Sequence, residues 1–577
     1  MAPIREHVRT RTAAFLVGAG VSVCSLASCA SPASQMTPNA APMSAARDRQ
    51  LTRDEQVRQV LNRLTFGPRP GDVARVSSLG VEKWIDMQLQ PASISDTLDR
   101  VLGTMETQRK TVVELLADHP DPQEIQQRLN QQRTAAGAAL VAYSPSDSLM
   151  LRRAQQTAGQ LGAQVQSVRL LRAVSSERQL QEVMTDFWEN HFSVFNGKSP
   201  NRYSLVEYDR DVIRPRALGK FRDLLGAVAK SPEMLYYLDN YQSGVDSLHP
   251  NVDEEPIEAR RKASADNVAQ QFAMLPHRGR RGLNENYARE VMELHTLGVD
   301  GGYTQSDVQE MARALTGWTI QAPNLGGGFV FRPELHDAGE KTVLGHRLAA
   351  GRGIADGEDA LDIVARAPAT AKFITMKLAR RFVSDDPPTA LVERCASTFT
   401  KTDGNIRATM RCIITSPEFF SRTAYRAKVK TPFELVASAM RALGAQPDTS
   451  ARGAQAVSQL GQPIFGRLTP DGWPEKGDAW MNGGAILNRI NFGLRLAGGQ
   501  FPGVRVASWP SAARLRLLPV DAQVNGVIDE LLGGEVSPET RKILSSGENP
   551  MLAGAPPAKT PAPQLTGLPA LIGLALG

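Results

Sequence analysis

The chain has 577 residues, 42% of them hydrophobic, and 66 lysines and arginines against 60 aspartates and glutamates, which gives a formal net charge of +6. A balance this close to neutrality for such a length argues against nucleic acid as a partner. The length and the apolar fraction allow a large buried core, so the composition is that of an ordinary globular protein.

The first 28 residues have the pattern of a lipoprotein signal peptide. Three arginines, at positions 5, 9 and 11, precede an apolar run over 13–26, which ends in Leu26-Ala27-Ser28-Cys29. A lipoprotein signal peptidase accepts small residues before a cysteine, and the run is too short to span a bilayer. We expect a mature chain that begins at a diacylated Cys29, with a net charge of +4 because three arginines and one glutamate are removed. The alternative is an ordinary signal peptide with an incidental cysteine.

The residue after Cys29 bears on the location of the mature protein. It is Ala30, where lipoproteins retained in the inner membrane carry aspartate. This favours an outer-membrane lipoprotein of the cell envelope, facing either the periplasm or the cell surface. Residues 29–50 are rich in Pro, Ala and Ser and cannot bury enough surface to fold. We interpret them as a flexible tether that reaches on the order of 25 Å.

Residues 51–547 are expected to form one mainly α, multi-helix globular body. Its first helix begins with a capping box, Thr52-Arg53-Asp54-Glu55. A polar, glutamine-rich stretch at about 105–175 has helical periodicity and is predicted to form a protruding helical hairpin.

Two predicted helices each place a histidine on an apolar face. His191 follows Val183, Met184, Phe187 and Trp188, and His295 follows Tyr287, Ala288, Val291, Met292 and Leu294. At about 100° per residue each histidine falls within the apolar stripe of its helix. An imidazole buried without partners costs a few kcal/mol, so the ring nitrogens must be hydrogen-bonded or metal-bound.

One small β-hairpin is expected to interrupt the helices. Phe329 to Phe331 and Lys341 to Leu344 bracket a turn around His336-Asp337. Further on, Cys395 and Cys412 are equally distant from the turn sequence at 402–405. In a helical hairpin they would lie at the same level, so they form either a disulfide or two separate buried thiols.

The end of the chain, 548–577, divides into a Pro-rich segment and an apolar tail. The tail is too short to cross a membrane and is predicted to dock as a last helix. Before it, aromatic residues could line a groove for a sugar or peptide, although aromatic side chains are also common core residues. These are Tyr303, Trp318, Phe331, Trp473 and Trp480.

The candidate catalytic residues are the two histidines together with polar residues near them in the chain or on the hairpin: Asn190, His191, Asn284, His295, His336 and Asp337. If the two helices pack through these faces, the rings could act as acid and base or bind a divalent metal through His191 and His295. The simpler alternative is that each histidine is a core residue bonded to a backbone carbonyl.

The nearby carboxylates do not extend a metal site. Glu290 and Glu293 lie about 140° and 160° around their helix from His295, and Asp186 and Glu189 lie on the polar side of theirs. We expect these carboxylates to be solvated or paired with an arginine of another helix, such as Arg289, Arg313 or Arg380. The sequence contains no HExxH, EF-hand, GxSxG or phosphate-loop motif, so it specifies none of those chemistries.

Several motifs resemble one bacterial family. They are NENYAREVMELHTLGVDGGYTQSDVQEMARALTGW, DFWENHFSV, HDAGEKTVLG, KFITMKLARRFVSDDPP and SPEFF. Together they identify the chain, from Leu51 onward, as a member of the family named domain of unknown function 1800. The resemblance implies a mostly helical, exported protein, often encoded beside a secreted sulfatase-like protein of the family named domain of unknown function 1501. It implies no established reaction.

These observations lead to one hypothesis and one alternative. The hypothesis is an outer-membrane-anchored protein with a polar site between the His191 and His295 helices, closed by the His336 hairpin, and a hydrolytic or metal-assisted activity. The alternative is a non-catalytic scaffold or partner of another exported protein, such as the sulfatase-like one, bound through the glutamine-rich hairpin.

Overall fold

The protein is mainly α, as predicted. The computed structural model describes residues 50–135, 142–198, 201–245, 282–323, 326–446, 448–548 and 563–577. The predicted signal peptide at 1–28, the lipidation residue Cys29 and the tether up to residue 49 lie outside these described residues, as does 549–562 of the Pro-rich segment. None of the described helices combines the length and the apolar character needed to span a membrane.

The first half of the chain contributes fourteen α-helices to the described residues. They are α1 (Arg53–Leu64), α2 (Asp72–Leu79), α3 (Val81–Gln88), α4 (Leu98–Leu102), α5 (Glu106–Arg109), α6 (Val112–Asp118), α7 (Pro122–Ala135), α8 (Pro145–Ser175), α9 (Gln179–His191), α10 (Asn201–Glu207), α11 (Phe221–Ala229), α12 (Pro232–Tyr237), α13 (Glu285–Glu293) and α14 (Gln305–Ala314).

The second half adds four strands and eleven further α-helices within the described ranges. They are β1 (Trp318–Ile320), β2 (Phe329–Phe331), β3 (Lys341–Val343), β4 (His346–Leu348), α15 (Ile354–Arg366), α16 (Pro368–Phe382), α17 (Thr389–Lys401), α18 (Ile406–Ile414), α19 (Pro432–Ala442), α20 (Arg452–Gln459), α21 (Gly483–Ala497), α22 (Ala512–Leu515), α23 (Val520–Leu531), α24 (Pro538–Ser546) and α25 (Gly567–Leu576).

The helix ends follow the chemistry of their terminal residues. At the start of α1, the Thr52 hydroxyl accepts a hydrogen bond from the Glu55 N–H while the Glu55 carboxylate accepts one from the Thr52 N–H at 2.8 Å. This capping box satisfies two backbone donors that the helix itself leaves unpaired. In the segment predicted as a helical hairpin, α7 and α8 pack on each other through Ile125, Leu129 and Leu151.

Strands β2 and β3 lie where the sequence predicts strands, whereas β1 and β4 were not predicted, and the pairing differs. β2 pairs with β1 and β3 pairs with β4, both antiparallel, so two small hairpins replace the single one expected. The β3–β4 connection is a two-residue turn in which Leu344 and Gly345 have φ of 48° and 78°. Two positive φ values make a tight turn that matches the twist of paired strands, so β3 turns back on β4 and leaves β2 to another partner.

Helix α9 is at the centre of the main hydrophobic core. The Trp188 ring is fully buried, with its centroid 5.8 Å from that of Phe192 and 5.9 Å from that of Phe221. Its indole N–H donates to the Ala217 carbonyl at 3.0 Å, so the one polar atom of the ring has a partner. The residues next to Trp188 on α9 therefore have fixed positions.

A disulfide joins Cys395 on α17 to Cys412 on α18. The two helices flank the short turn at 402–405, which places the cysteines opposite each other. Cross-linking two segments restricts the unfolded chain more than the folded one.

Replacing both cysteines with alanine is expected to lower the free energy of unfolding by about 3 kcal/mol, the entropy effect of a cross-link over this loop; the two cysteines are 17 residues apart. Urea unfolding of the oxidised protein measures the difference. Adding a reductant should bring the wild-type protein down to the value of the Cys395→Ala, Cys412→Ala variant and leave that variant unchanged. Equal stability of the two oxidised proteins would contradict the expectation.

Candidate functional site

His191 and His295 lie next to each other in the core. Their ring centroids are 6.2 Å apart, and the two residues are 2% and 1% exposed. Both residues lie at helix ends. His191 is the last residue of α9. His295 lies in the turn after α13, which ends at Glu293, and the backbone N–H of His295 donates to the Glu290 carbonyl. The Phe192 ring packs against both imidazoles, with centroid distances of 4.5 and 5.1 Å.

Hydrogen bonds fix the protonation of His191. Its Nε2 is 3.1 Å from the His295 carbonyl oxygen, and the Lys377 Nζ is 2.9 Å from its Nδ1. A lysine ammonium can only donate, so Nδ1 accepts and Nε2 carries the proton that is donated to the carbonyl. Burial, with a contribution from the Lys377 charge, holds the pKa of His191 well below its usual 6.5, and the ring is neutral.

His295 is also neutral. Burial lowers its pKa to about 3, and its Nε2 has no hydrogen-bond partner among the described residues. Lys377 reaches the pair from α16, where burial lowers the pKa of its amine to about 8. Lys377 was not predicted from sequence, because its partner is 186 residues away in the chain.

This arrangement connects three helices and is a poor metal site. Both ring nitrogens of His191 already have protein partners, and one of those partners is a cationic amine. In the described ranges, no group of three or more His, Cys, Asp and Glu side chains is placed to hold a metal ion. The geometry fits the simpler reading of the sequence, in which the histidines are core residues, although only His191 uses a carbonyl and that carbonyl belongs to the other histidine.

The structure does not bring His336 and Asp337 to the histidine pair. His336 Nδ1 is 2.9 Å from the Thr316 carbonyl oxygen, and its Nε2 is 3.2 Å from Asp356 Oδ2. The Asp337 carboxylate accepts from Arg313 Nε at 2.8 Å. No described hydrogen bond, ion pair or ring contact joins either residue to His191 or His295, so the expected closure of a histidine site by this segment is not seen.

Asn284 has a structural role. Its Oδ1 accepts from the Tyr287 N–H at 3.0 Å and caps α13, while its Nδ2 donates to the Leu238 carbonyl at 2.7 Å. One of these side-chain bonds caps the start of α13, and the other attaches it to the segment that contains Leu238.

Asn190 is the predicted site residue that lines a cavity. Its Nδ2 donates to the Trp473 carbonyl at 2.9 Å, and its Oδ1 accepts from the Trp473 N–H at 2.6 Å. The loop approaches so closely that a Cβ on Gly472 would lie 2.2 Å from the Asn190 carbonyl oxygen, and Gly472 has φ of 74°. The enclosed space is about 50 Å³, room for a few water molecules.

Several charged side chains stand in the wall of this cavity. Arg169 on α8 forms ion pairs with Asp186 at 3.1 Å and with Glu189 at 2.5 Å, both on α9. Arg381 on α16 forms ion pairs with Asp186 at 3.0 Å and with Glu434, the N3 residue of α19, at 3.1 Å. The carboxylates of α9 are paired with arginines of other helices, as the sequence suggested, but the partners are Arg169 and Arg381.

Burial changes the acidity of the two α9 carboxyls. Withdrawal from water raises the pKa of Glu189 well above 4.5, against the opposing effect of Arg169, and raises that of Asp186 as well. Glu189 is 6% exposed, and its Oε1 has no hydrogen-bond partner in the described part of the chain. Because Oε1 is closed off from water, the protonated form of this carboxyl is favoured, and in that form it can transfer a proton.

The apolar pattern of α8 contained a signal for Arg169 that sequence reasoning missed. Arg169 follows Val165 by four residues, and both are buried on the same face of the helix. A charged residue within an apolar stripe is the same anomaly that drew attention to His191 and His295.

The predicted aromatic groove is present only in part. Trp473 lines the cavity, its ring centroid lies 6.1 Å from that of Trp480, and Arg467 stacks over it at 5.5 Å. Trp318 is fully buried against Gly357 and is a core residue.

Comparison with known proteins gives one match. The model of a family described as Protein of unknown function (DUF1800) matches residues 59–570. No curated protein and no solved structure matches the chain.

The buried histidines should make stability depend on pH. The pKa of such a histidine is lower in the folded protein than the value of about 6.5 that it has in the unfolded chain. The free energy of unfolding is therefore highest above pH 6.5 and decreases as the pH falls below it, because the unfolded chain then binds a proton that the folded protein does not. Between pH 7.5 and 5.5, the wild-type protein should lose about 1.4 kcal/mol more unfolding free energy than His295→Gln. Urea unfolding at both pH values measures this difference. The exposed His346→Gln should behave as wild type, and equal losses in all three proteins would contradict the burial of a neutral His295.

Proposed function

The chain belongs to the DUF1800 family of proteins of unknown function, and we propose that this member is a lipid-anchored envelope hydrolase whose working site is the cavity beside α9. One observation carries the proposal: the Glu189 carboxyl is buried at the cavity wall, with a raised pKa and one oxygen without a described partner. Perturbed carboxyls in a polar cavity are typical of acid–base sites.

Glu189 and Asp186 have different surroundings, which suits a division of roles. Protonated Glu189 gives its proton to the leaving oxygen or nitrogen of the cleaved bond. The hydroxyl of a water molecule bonds to the atom that the leaving group has left. The remaining proton of that water restores the Glu189 carboxyl. Asp186, held between Arg169 and Arg381, keeps the arginines in place and balances their charge.

The remaining wall supplies recognition. Asn190 is held by Trp473 through two hydrogen bonds, so its position is fixed before a substrate enters. The indole ring of Trp473 offers a flat surface for a sugar ring or a peptide side chain. Because the cavity is small, it takes only a small terminal group of an envelope polymer, and the rest of the polymer stays outside.

The histidine pair positions this wall. His191 follows Asn190 directly, and its bonds to the His295 carbonyl and Lys377 fix the end of α9. We assign the histidines a positioning role and propose no metal between them.

The location is proposed from the N-terminal sequence. A signal peptide followed by Cys29 would anchor the mature chain by lipid to the outer membrane, facing the periplasm or the cell surface. The Cys395–Cys412 disulfide supports export, because disulfides persist in oxidising compartments such as the periplasm and the cell surface.

A scaffold function is the second candidate. Leu149 and Met150, near the start of α8, are 47% and 39% exposed. Exposed apolar side chains on this helical pair could contact another exported protein, such as one of the sulfatase-like family. This function would not need the Glu189 carboxyl.

The hydrolase proposal is tested at Glu189. Incubation with envelope polysaccharide and peptidoglycan, followed by assays of released reducing ends and amino groups, should show wild-type hydrolysis that declines as the pH rises above the raised pKa of Glu189. Glu189→Gln should lower the rate about 100-fold or more, since it cannot supply a proton. Exposed Glu393→Gln is the matched control and should be fully active.

Two outcomes would contradict the hydrolase. One is the absence of hydrolysis by the wild-type protein, and the other is a Glu189→Gln rate equal to wild type in a protein of unchanged thermal stability. Recovery of a stoichiometric exported partner from envelope extracts would then support the scaffold.

Anchoring is tested at Cys29. In cells given radioactive palmitate, the wild-type protein should be labelled and should sediment with the outer membrane, whereas Cys29→Ser should carry no label, because the acylated thiol is gone. Cys24→Ser, within the same signal segment, is the matched control and should be labelled. Labelling of Cys29→Ser, or none of the wild type, would contradict lipidation at this residue.

A further inference from the structure

A second and larger cavity lies away from the α9 site. Its volume is about 690 Å³, within the range of small-molecule sites. Residues of α1, α19, α21 and α23 line it, together with the segment that precedes α19. The proposed hydrolase has no use for this cavity, so the inference drawn from it is independent of that function.

The wall of this cavity carries more basic than acidic side chains. Arg58, Arg426 and Lys428 lie along it, and three further cations, Arg63, Lys430 and Arg489, lie deeper. The acidic side chains of the wall are Asp529 and Glu530. Glu530 forms an ion pair with Arg514 at 2.7 Å, which leaves little of its charge for the cavity. The local charge is therefore positive.

Three deeper cations have no carboxylate within 4 Å among the described residues. Arg63 Nε donates to the Phe382 carbonyl at 3.2 Å, Arg489 donates to the Lys430 carbonyl at 2.7 Å, and Lys430 donates to the Ser438 hydroxyl. Arg63 and Arg489 are each 8% exposed, and Lys430 is half-buried. Burial lowers the pKa of Lys430 to about 8 and that of Arg63 to about 10.

The nearest influential carboxylate is Glu434, which acts on all three cations but is itself paired with Arg381. Buried cations that share one counter-charge are unfavourable, and an anion bound between them would lower the cost. Guanidinium groups bind phosphate and carboxylate oxygens in pairs, and an ammonium adds a point charge. Arg63, Lys430 and Arg489 therefore offer the two kinds of donor that oxyanion sites use.

Part of the wall is apolar. Leu435, Ala439 and Ala442 form one side on α19, and Trp509 and Leu531 lie on other parts of the lining. A ligand with a charged group alone would leave this surface in contact with water, whereas an apolar body would cover it. We propose that the cavity binds an organic anion in which a phosphate or carboxylate group, held by Arg63, Lys430 and Arg489, is attached to an apolar body.

Calorimetric titration of the purified full chain tests this site, with octyl phosphate, octanoate and the neutral octyl glucoside as probes of equal chain length. We expect octyl phosphate or octanoate to bind at least tenfold more tightly than octyl glucoside. The tighter of the two anions identifies the charged group. Inorganic phosphate, which lacks the apolar body, should bind more weakly than octyl phosphate.

Variants locate the binding. Lys430→Gln and Arg489→Gln should each lower the affinity for the preferred anion about tenfold or more, since each removes a charged donor. Exposed Arg407→Gln is the matched control and should bind as wild type. Thermal unfolding of each variant without ligand verifies that it is folded, and Lys430→Gln, which removes an unpaired charge, should be at least as stable as wild type.

The proposal is overturned if neither anion binds more tightly than octyl glucoside. It is equally overturned if folded Lys430→Gln binds the anion with the affinity of Arg407→Gln.

Discussion

The buried ion pairs around Arg169 constrain the arrangement of the central helices. Arg169 on α8 meets Asp186 and Glu189 on α9, and Asp186 continues to Arg381 on α16. Removing one member of such a network leaves an unpaired charge in the core, at a typical cost of 3–5 kcal/mol. The helices can therefore pack only where Arg169 and Arg381 keep Asp186 as their shared partner. The same requirement places two carboxyls at a cavity wall, where burial raises their pKa values and favours the protonated form.

The histidine pair and the cavity with the charged wall both involve the last turn of α9. His191 ends α9 with one ring nitrogen on the His295 carbonyl and the other on Lys377, and the preceding Asn190 is bonded to the Trp473 backbone. These contacts hold the last turn of α9 from two sides. Glu189 is in that turn, so the hydrogen bonds of Asn190 and His191 fix the position of its backbone. Neutral imidazoles suit this role, because a charged ring beside the Lys377 ammonium would be repelled.

Sequence patterns predicted the fold class and the position of the site better than its chemistry. Helical periodicity and capping boxes such as Thr52–Glu55 are local, and they account for the mainly α fold. The burial of His191 and His295 also followed from a local rule, the apolar stripe on each helix, whereas their meeting was one of two alternatives. Lys377 was missed because its contact joins helices far apart in the chain. Arg169 was missed because its place in the apolar stripe of α8 was overlooked. The His336 segment was assigned to the site because its His-Asp pair lies on the predicted hairpin, yet the partners Thr316 and Asp356 place it elsewhere.

The central claim is that Glu189 is a buried carboxyl that retains its proton more strongly than glutamates in water. Carbon-13 NMR of the protein labelled at glutamate carboxyls measures this directly, with the Glu189 signal identified by its absence from Glu189→Gln. We expect this signal to titrate at a higher pH than the signals of exposed glutamates. Titration together with the exposed glutamates would show that the carboxyl is open to water and would contradict the account.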